Sequence, residues 1–309
     1  MAVNKNDDRV VPDTETVSAG GGFVLHSVQD EDDPVIDRCG EMLSEEFTPD
    51  ELPDPGSVRE AVKGNLQSGA TDRYIFEALL DGGGRVHGFV KGLYRPLDDG
   101  AGGFRRDGVA MVGYIMMQRE SRGNLALTRS LFRRFREKSE EAARQLGGAL
   151  RYFAGEAVPA VEPMLNWLGL SRCYIEREER LVEEFRYFQP PLRWDPESGC
   201  PLHDSGAAAE HFMIGAVEEG MDRLSAVELM AAVRCFHYYV YEKFWPMAAF
   251  RNSGAFQRSR KMVRGLEEVM ERQLAQVESV FLVSKSQRRR MEREGVRVIG
   301  HDEADLRGE

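Results

Sequence analysis

A run of apolar residues near the middle of the chain is followed by a polar turn and then by a long amphipathic segment. The apolar run, Val109 to Met117, is long enough for one buried strand. The polar turn covers Gln118 to Asn124, and helical periodicity starts near Leu125 and continues to about Gly147. Unpaired backbone N–H groups and the positive end of the helix dipole face such a turn, so the pattern predicts a place where an anion can bind.

The periodicity on either side of this unit predicts an alternation of strands and helices. Before it, we expect a strand at 22–28, two helices and a two-stranded hairpin, with a Gly- and Asp-rich loop at 97–108. After it come a strand at 150–154, a helix at 159–168 and two further strands. The resulting order, β-α-α-β-β-β-α-β-α-β-β, predicts an α/β (α+β) fold.

Composition changes towards both ends of the chain. Residues 1–20 are polar and are predicted to be a disordered tail, and the stretch 194–206 is predicted to be a linker. From 207 to 300 helical periodicity dominates, with Ser225 as a helix N-cap, so we expect a mainly α-helical C-terminal domain. Within it, short strands are predicted at 279–283 and 296–299, and residues 301–309 form an acidic tail.

Charge and cysteine content exclude several classes of protein. The formal net charge of −11 argues against a general binder of nucleic acids or acidic membranes, since those surfaces attract cations. Four cysteines without a C-x-x-C pair, and histidines without metal-ligand spacing, predict reduced thiols and no metal site. The absence of a signal-like N-terminus and of an apolar run of ~18 residues predicts a cytoplasmic protein that does not enter a membrane.

The residues around the central turn resemble a known family. Met117-Gln118-Arg119-Glu120-Ser121-Arg122-Gly123 is similar, position by position, to the approach to the coenzyme loop of the GNAT superfamily of acyl-CoA-dependent N-acyltransferases. The element order of residues 22–192 resembles the same superfamily, as does the Leu-Gly corner in 163–170. The resemblance implies a GNAT-like mixed sheet flanked by helices over about 21–193, with acetyl-CoA or another acyl-CoA as co-substrate.

The resemblance also implies which residues hold the coenzyme. The end of the central strand would hold the thioester, the backbone of the turn would hold the pyrophosphate, and the Arg122 guanidinium suits a phosphate. Of the four arginines of the following helix, at 129, 133, 134 and 136, one or two could reach a nucleotide phosphate, and most would lie on its solvated face. The predicted coenzyme residues are Ile115, Met116, Met117, Gln118, Arg122, Gly123, Asn124, Leu125, Ala126, Leu127 and Thr128.

Three leucines depart from the family pattern. Leu125 and Leu127 stand where the family usually has glycines, and a Cβ there can obstruct the approach of a pyrophosphate to the backbone. Leu165 stands where the family frequently has a tyrosine that serves as general acid for the thiolate. A leucine side chain cannot donate a proton, so another group or water would have to do so.

Two carboxylates are candidates for the base that acyl transfer to an amine requires. Glu156 follows the strand after the central helix, where the resemblance implies that two central strands move apart, and Glu120 lies in the polar turn. The alternative for both is a solvated carboxylate without a catalytic role.

The sequence leaves three functions open. The leading hypothesis is an N-acyltransferase in which a small-molecule or peptide amine attacks a coenzyme A thioester directly. The alternative is a non-catalytic scaffold whose helical C-terminal domain forms an oligomer or binds a partner. A third is a transferase that takes its acyl group from a carrier protein or aminoacyl-tRNA, docked by the basic helices.

Overall fold

The computed structural model of the chain describes residues 16–20, 22–46, 55–65, 70–98, 103–157, 161–188, 211–243 and 254–300. The strands in these segments all belong to one sheet. They are β1 (Thr16–Gly20), β2 (Phe23–Ser27), β3 (Arg73–Asp81), β4 (Val86–Asp98), β5 (Phe104–Met117), β6 (Ala149–Ala157), β7 (Ser171–Glu178), β8 (Leu181–Glu184), β9 (His211–Ala216), β10 (Arg223–Ser225), β11 (Ser279–Val283) and β12 (Arg297–Ile299).

Helices connect these strands and cover the sheet. They are α1 (Val35–Ser44), α2 (Pro55–Gly64), α3 (Leu125–Gln145), α4 (Glu162–Trp167), α5 (Ala226–His237), α6 (Gly254–Gln273) and α7 (Lys285–Arg293). A π-helical segment, Tyr238–Lys243, continues α5, and a short 3-10 helix, Arg119–Ser121, precedes α3. Among the described residues, no helix is long and apolar enough to cross a membrane.

The sheet is mixed. Its strand order is β1-β2-β3-β4-β5-β6-β9-β7-β11-β10, with β8 paired to β7 and β12 paired to β8. The pairs β5–β6 and β8–β12 are parallel, and the other pairs are antiparallel. This mixed sheet flanked by helices confirms the predicted fold class.

Both faces of the sheet are buried, which explains why the central strands are apolar on both sides. On one face α3 packs with Leu131 and Phe135 against strand residues such as Phe153. On the other face α1, α2 and α5 form a second core with strand residues such as Phe89. The arginines of α3 were predicted to be mostly solvated, and Arg134 is an exception: it is buried and ion-paired with Glu77 of β3.

The central strand–turn–helix unit agrees with the sequence, and its hairpin is longer than expected. α3 begins at Leu125 as predicted, with the Asn124 side chain accepting a hydrogen bond from the backbone N–H of Leu127. β5 begins at Phe104 and not at Val109, because its ladder with β4 extends to the pair Asp98–Phe104. Most of the described residues in the predicted loop at 97–108 therefore belong to β4 or β5.

The N-terminal tail is partly ordered. Thr16–Gly20 pairs with β2, so the prediction of disorder is wrong for these residues. The outer edge of β2 offers backbone hydrogen-bonding groups, and a five-residue strand can form on it without a strong pattern of its own. Residues 1–15 lie outside the described part of the chain.

The C-terminal region differs from the predicted helical domain because its strands join the same sheet. β9 lies between β6 and β7, where Ala157 pairs with His211 and Ser171 pairs with Ile214. The predicted helices are present as α5, α6 and α7, and α5 packs into the core that contains α1 and α2. The predicted linker at 194–206 and the tail at 301–309 lie outside the described residues.

Candidate active site

The two parallel strands at the centre of the sheet separate towards their C-terminal ends. β5 and β6 pair from Asp107 and Ala149 as far as Met111 and Ala154. Beyond these residues β5 continues to Met117 and β6 to Ala157, without further pairing between them. On the edge of β5 that faces β6, backbone N–H and C=O groups therefore have no strand partner in the described part of the chain.

A β-bulge at Gly113 marks the point of separation. Lys91 of β4 pairs with Tyr114 and Gly92 pairs with Val112, which leaves Gly113 as an extra residue in β5. A bulge bends its strand and increases its twist, and here it accompanies the divergence of β5 from β6. A Cβ at Gly113 would collide with the Tyr239 hydroxyl, so only glycine lets this tyrosine lie over the bulge.

The turn after β5 is organised by its own backbone. The N–H of Gln118 donates to the carbonyl of His87 at 2.9 Å, and the N–H groups of Ser121 and Arg122 donate to the carbonyl of Gln118 at the same distance. Gly123 has a φ of +87°, in the left-handed region that favours glycine. The turn therefore has a defined shape, and it leads directly into the N-terminus of α3.

The predicted coenzyme residues lie together along the end of β5, the turn and the first turn of α3. Ile115 and Met116 are partly exposed beside the gap. Leu127 is buried in the core beneath α3, and Thr128 is buried with its hydroxyl donating to the Asn124 carbonyl at 3.3 Å. Of Leu125 and Leu127, only Leu125, at 56% exposure, lies at the surface of the turn.

Arg122 lies at the turn, and its guanidinium forms an ion pair with a carboxylate. Its Nε donates to the Met117 carbonyl at 3.0 Å, and its Nη2 donates to Oε1 of Glu46 at 2.7 Å. The hydrogen bond from Arg122 lowers the pKa of Glu46. Arg119 also lies 3.5 Å from Glu46. A phosphate at this turn would therefore compete with Glu46 for two arginines.

A small cavity of about 130 Å³ opens beside this turn. The end of β5, the turn and the last turn of α1 contribute its walls. The lining residues are Met42, Glu45, Glu46, Arg85, Met116, Met117, Gln118, Arg119, Glu120 and Arg122.

The two predicted base candidates lie in different surroundings. Glu156 belongs to the part of β6 beyond its last pair with β5, and its carboxylate accepts a hydrogen bond from the Tyr187 hydroxyl. Glu120 lies on the surface of the turn with a side chain that is 68% exposed, 3.7 Å from the Arg85 guanidinium. Only Glu156 is therefore placed beside the gap and oriented by a hydrogen bond.

Sequence reasoning missed a buried amine beside the bulge. Lys91 is 3% exposed, and its Nζ lies 4.7 Å from the centre of the Tyr114 ring and 5.9 Å from that of Phe89. No carboxylate of the described residues forms an ion pair with it, and burial lowers the pKa of Lys91 to about 8. The available signal was a single lysine inside the apolar strand Phe89-Val90-Lys91-Gly92-Leu93.

Sequence reasoning also missed the hydroxyl over the bulge. Tyr239 is buried, and burial raises the pKa of its phenol well above the usual value. The sequence offered no means of pairing Tyr239 with Gly113, because the two are far apart in the chain.

The helix α4 supplies core packing and a buried charge network. Leu165 is buried on the α3 face, and its side chain carries no proton donor. Glu162 of α4 pairs with Arg172 at 2.5 Å, Arg172 pairs with Glu184 at 3.1 Å, and Glu184 pairs with Nδ1 of His211 at 3.0 Å. This network ties α4 to β7, β8 and β9, and β9 pairs with β6.

Solved structures similar to this chain are acetyltransferases. A putative GNAT-family acetyltransferase from Desulfovibrio desulfuricans is 15% identical with a TM-score of 0.36, covering 63% of this chain and 98% of its own. A GNAT-family acetyltransferase from Staphylococcus aureus is 12% identical with a TM-score of 0.37, covering 63% and 99%. Arabidopsis thaliana NAA60, solved with a bisubstrate analogue, is 10% identical with a TM-score of 0.38, covering 63% and 99%. No protein-family model and no curated protein matches the sequence.

Proposed function

We propose that this protein transfers an acyl group from a coenzyme A thioester to an amine. The observation that carries the proposal is the gap between β5 and β6, which opens at the Gly113 bulge and leads to the turn before α3. The gap presents an unpaired strand edge at one end and a helix N-terminus at the other, the two features that an extended thioester with a pyrophosphate needs.

The donor would lie along the unpaired edge of β5. The amide groups of a pantetheine arm can pair with the backbone of 112–117 as an added strand would, and a backbone N–H in Ile115 to Met117 would donate to the thioester carbonyl. That same donor would stabilise the oxyanion when the carbonyl carbon becomes tetrahedral.

The pyrophosphate would lie against the turn and the first turn of α3. Gly123 supports the proposal because it lets the backbone approach closely, and Arg122 and Arg119 supply positive charge at the same place. Binding would exchange the carboxylate of Glu46 for phosphate oxygens as the partner of both arginines.

The reaction needs a proton acceptor for the amine and a hydrogen-bond donor for the departing thiolate. The amine nitrogen forms a bond to the carbonyl carbon, the C–S bond breaks, and Glu156, held by Tyr187, accepts the proton that the amine loses. The Tyr239 hydroxyl over Gly113 would donate a hydrogen bond to the departing thiolate, in place of the tyrosine that is missing at Leu165. Its raised pKa keeps that phenol protonated.

A thermal-shift titration with acetyl-CoA tests donor binding before any acceptor is known, since a ligand of the native state raises the unfolding midpoint by mass action. We expect a saturable rise that Arg122→Ala strongly reduces. Arg133→Ala is the matched control, because Arg133 is exposed on α3 away from the turn. The absence of a shift with acetyl-CoA and with longer acyl-CoAs would contradict the proposal.

A second candidate function is a non-catalytic scaffold. One observation in its favour is the ion pair between Arg122 and Glu46, because the guanidinium that would bind a phosphate already has a carboxylate partner. Another is the exposed side chain of Leu125 at the turn. The variants Glu46→Gln and Leu125→Gly separate the two candidates. If they create acyl-CoA binding that the wild type lacks, the turn is closed in the natural protein and the scaffold is the better description.

A further inference from the structure

A second cavity, of about 210 Å³, lies between α5, α6 and the end of β4. On β4 the cavity is lined by Arg95. Arg95 pairs with Val109, in the part of β5 that pairs with β6. The cavity therefore lies on other elements than the gap and the turn. Four arginines line it, one from β4, one from α5 and two from α6: Arg95, Arg234, Arg260 and Arg264.

The lining brings four guanidinium groups together, and two carboxylates outside the lining, Asp72 and Glu271, pair with Arg95 and Arg234. Two carboxylates, Asp98 and Glu267, face the four guanidinium groups. Glu267 is already engaged, because its Oε1 lies 2.8 Å from Nδ1 of His237. Arg260 and Arg264 are four residues apart on α6, so one helix face brings both side chains to the cavity.

Two of the arginines are held in place from behind. The Arg95 guanidinium lies 3.7 Å from the centre of the Tyr238 ring, and its Nη1 lies 3.9 Å from Oδ2 of Asp72. The Tyr238 hydroxyl donates to the same carboxylate oxygen at 2.8 Å. Arg234 pairs with Glu271 of α6. Guanidinium groups fixed in this way lose less conformational freedom when they bind a ligand.

We propose that this cavity binds a small phosphate-bearing anion. Planar guanidinium groups match phosphate oxygens in bidentate geometry, and several of them converge here from three elements. The volume is below the ~300–1,000 Å³ of pockets for drug-sized ligands, so the ligand is the size of a diphosphate or a small phosphomonoester. The site does not depend on acyl transfer.

Isothermal titration of the full chain with sodium diphosphate at constant ionic strength tests this proposal. We expect saturable binding at one site, weakened by Arg264→Gln about tenfold or more, the loss typical of one charge-assisted hydrogen bond. Arg264 is exposed, so this variant is expected to fold. Arg272→Gln is the matched control, because it removes the same charge from an exposed position of α6 outside the cavity.

Diphosphate could also bind at the turn before α3, and one variant distinguishes the two places. Arg122→Ala should leave diphosphate binding unchanged, whereas Arg234→Gln should weaken it. Binding that disappears with Arg122→Ala, or that weakens equally with Arg264→Gln and Arg272→Gln, would overturn the proposal. So would the absence of saturable binding by the wild type. None of these results would alter the expected binding of acetyl-CoA to the wild type.

Discussion

Arg134 and Lys91 are buried on opposite faces of the sheet, and their charges are compensated in different ways. On the α3 face, Arg134 lies 3.4 Å from Glu77 and donates to the Ser27 hydroxyl, which in turn donates to Glu77 at 2.7 Å. On the opposite face, Lys91 is equally buried and is surrounded by aromatic rings.

The two side chains therefore differ in how their charge is compensated. Arg134 completes a network that joins α3 to β2 and β3, so its charge is compensated where it is buried. Lys91 keeps a desolvated amine next to Tyr114 at the bulge, a costly arrangement that is more common at functional sites than in ordinary cores.

Replacing Arg134 should have the largest effect on stability. Arg134→Met removes the charged partner of buried Glu77, so we expect the free energy of unfolding to fall by about 3–5 kcal/mol above pH 8, where Glu77 is ionised. Urea unfolding measures the change. Arg133→Met, an exposed neighbour, should stay within about 0.5 kcal/mol of the wild type.

The pH dependence of Arg134→Met provides a second measurement. Burial raises the pKa of Glu77 from 4.5 to about 8, so the folded state keeps a proton that the unfolded state releases. Stability from this group is therefore present at low pH and is lost as the pH rises from about 4.5 to 8. Without Arg134 the Glu77 carboxyl is harder still to ionise. Arg134→Met should therefore lower the free energy of unfolding more at pH 8 than at pH 5. A loss of stability that does not depend on pH would contradict a role of Arg134 as the partner of ionised Glu77.

Replacing Lys91 should stabilise the protein, in contrast to replacing Arg134. Its folded pKa, about 8, lies below the usual 10.5, so the unfolded state binds more protons between these values and wild-type stability rises across that window. Lys91→Met removes the cost of the buried charge, and we expect a gain of about 2–3 kcal/mol at pH 7 that disappears above pH 10.5. Urea unfolding against pH measures it, and destabilisation like that of Arg134→Met would show that Lys91 has an unrecognised partner.

Filling the bulge should have an intermediate effect. Gly113→Ala brings a Cβ against the Tyr239 hydroxyl, and we expect a loss of about 1–3 kcal/mol together with a weaker thermal shift by acetyl-CoA. Adding Tyr239→Phe removes the oxygen that collides and should recover part of the stability. If the double variant is as unstable as the sum of the two single variants, the collision is not the cause.

Removing the helix caps should have the smallest effect and should again distinguish the two faces. Asn124→Ala at the start of α3 and Ser225→Ala at the start of α5 each remove a side-chain cap and should each cost about 1 kcal/mol in thermal unfolding. Only Asn124→Ala should also weaken the acetyl-CoA shift, because only that cap belongs to the proposed coenzyme turn. Equal weakening by both variants would argue against that location.

The sequence predicted the central unit well because its signals are local. The apolar run of β5, the polar turn, Gly123 and the periodicity of α3 act within a few residues of each other, and the structure has them in the predicted order. The same holds for Ser225, whose capping box with Glu228 begins α5. The burial of Arg134 was not predicted, since helical spacing alone does not tell which polar residue meets a buried carboxylate on a neighbouring strand.

By itself, the sequence determined the elements, their order along β2 to β8, and the strand–turn–helix unit that suggests a coenzyme site. Only the tertiary structure decided that β9 lies between β6 and β7, that Tyr239 lies over Gly113, and that Lys91 is buried without a carboxylate among the described residues. The physical reason is the range of the interactions. Periodicity, caps and turns depend on neighbours in the chain, whereas strand order, a bulge and the burial of a charge depend on residues that only the folded sheet brings together.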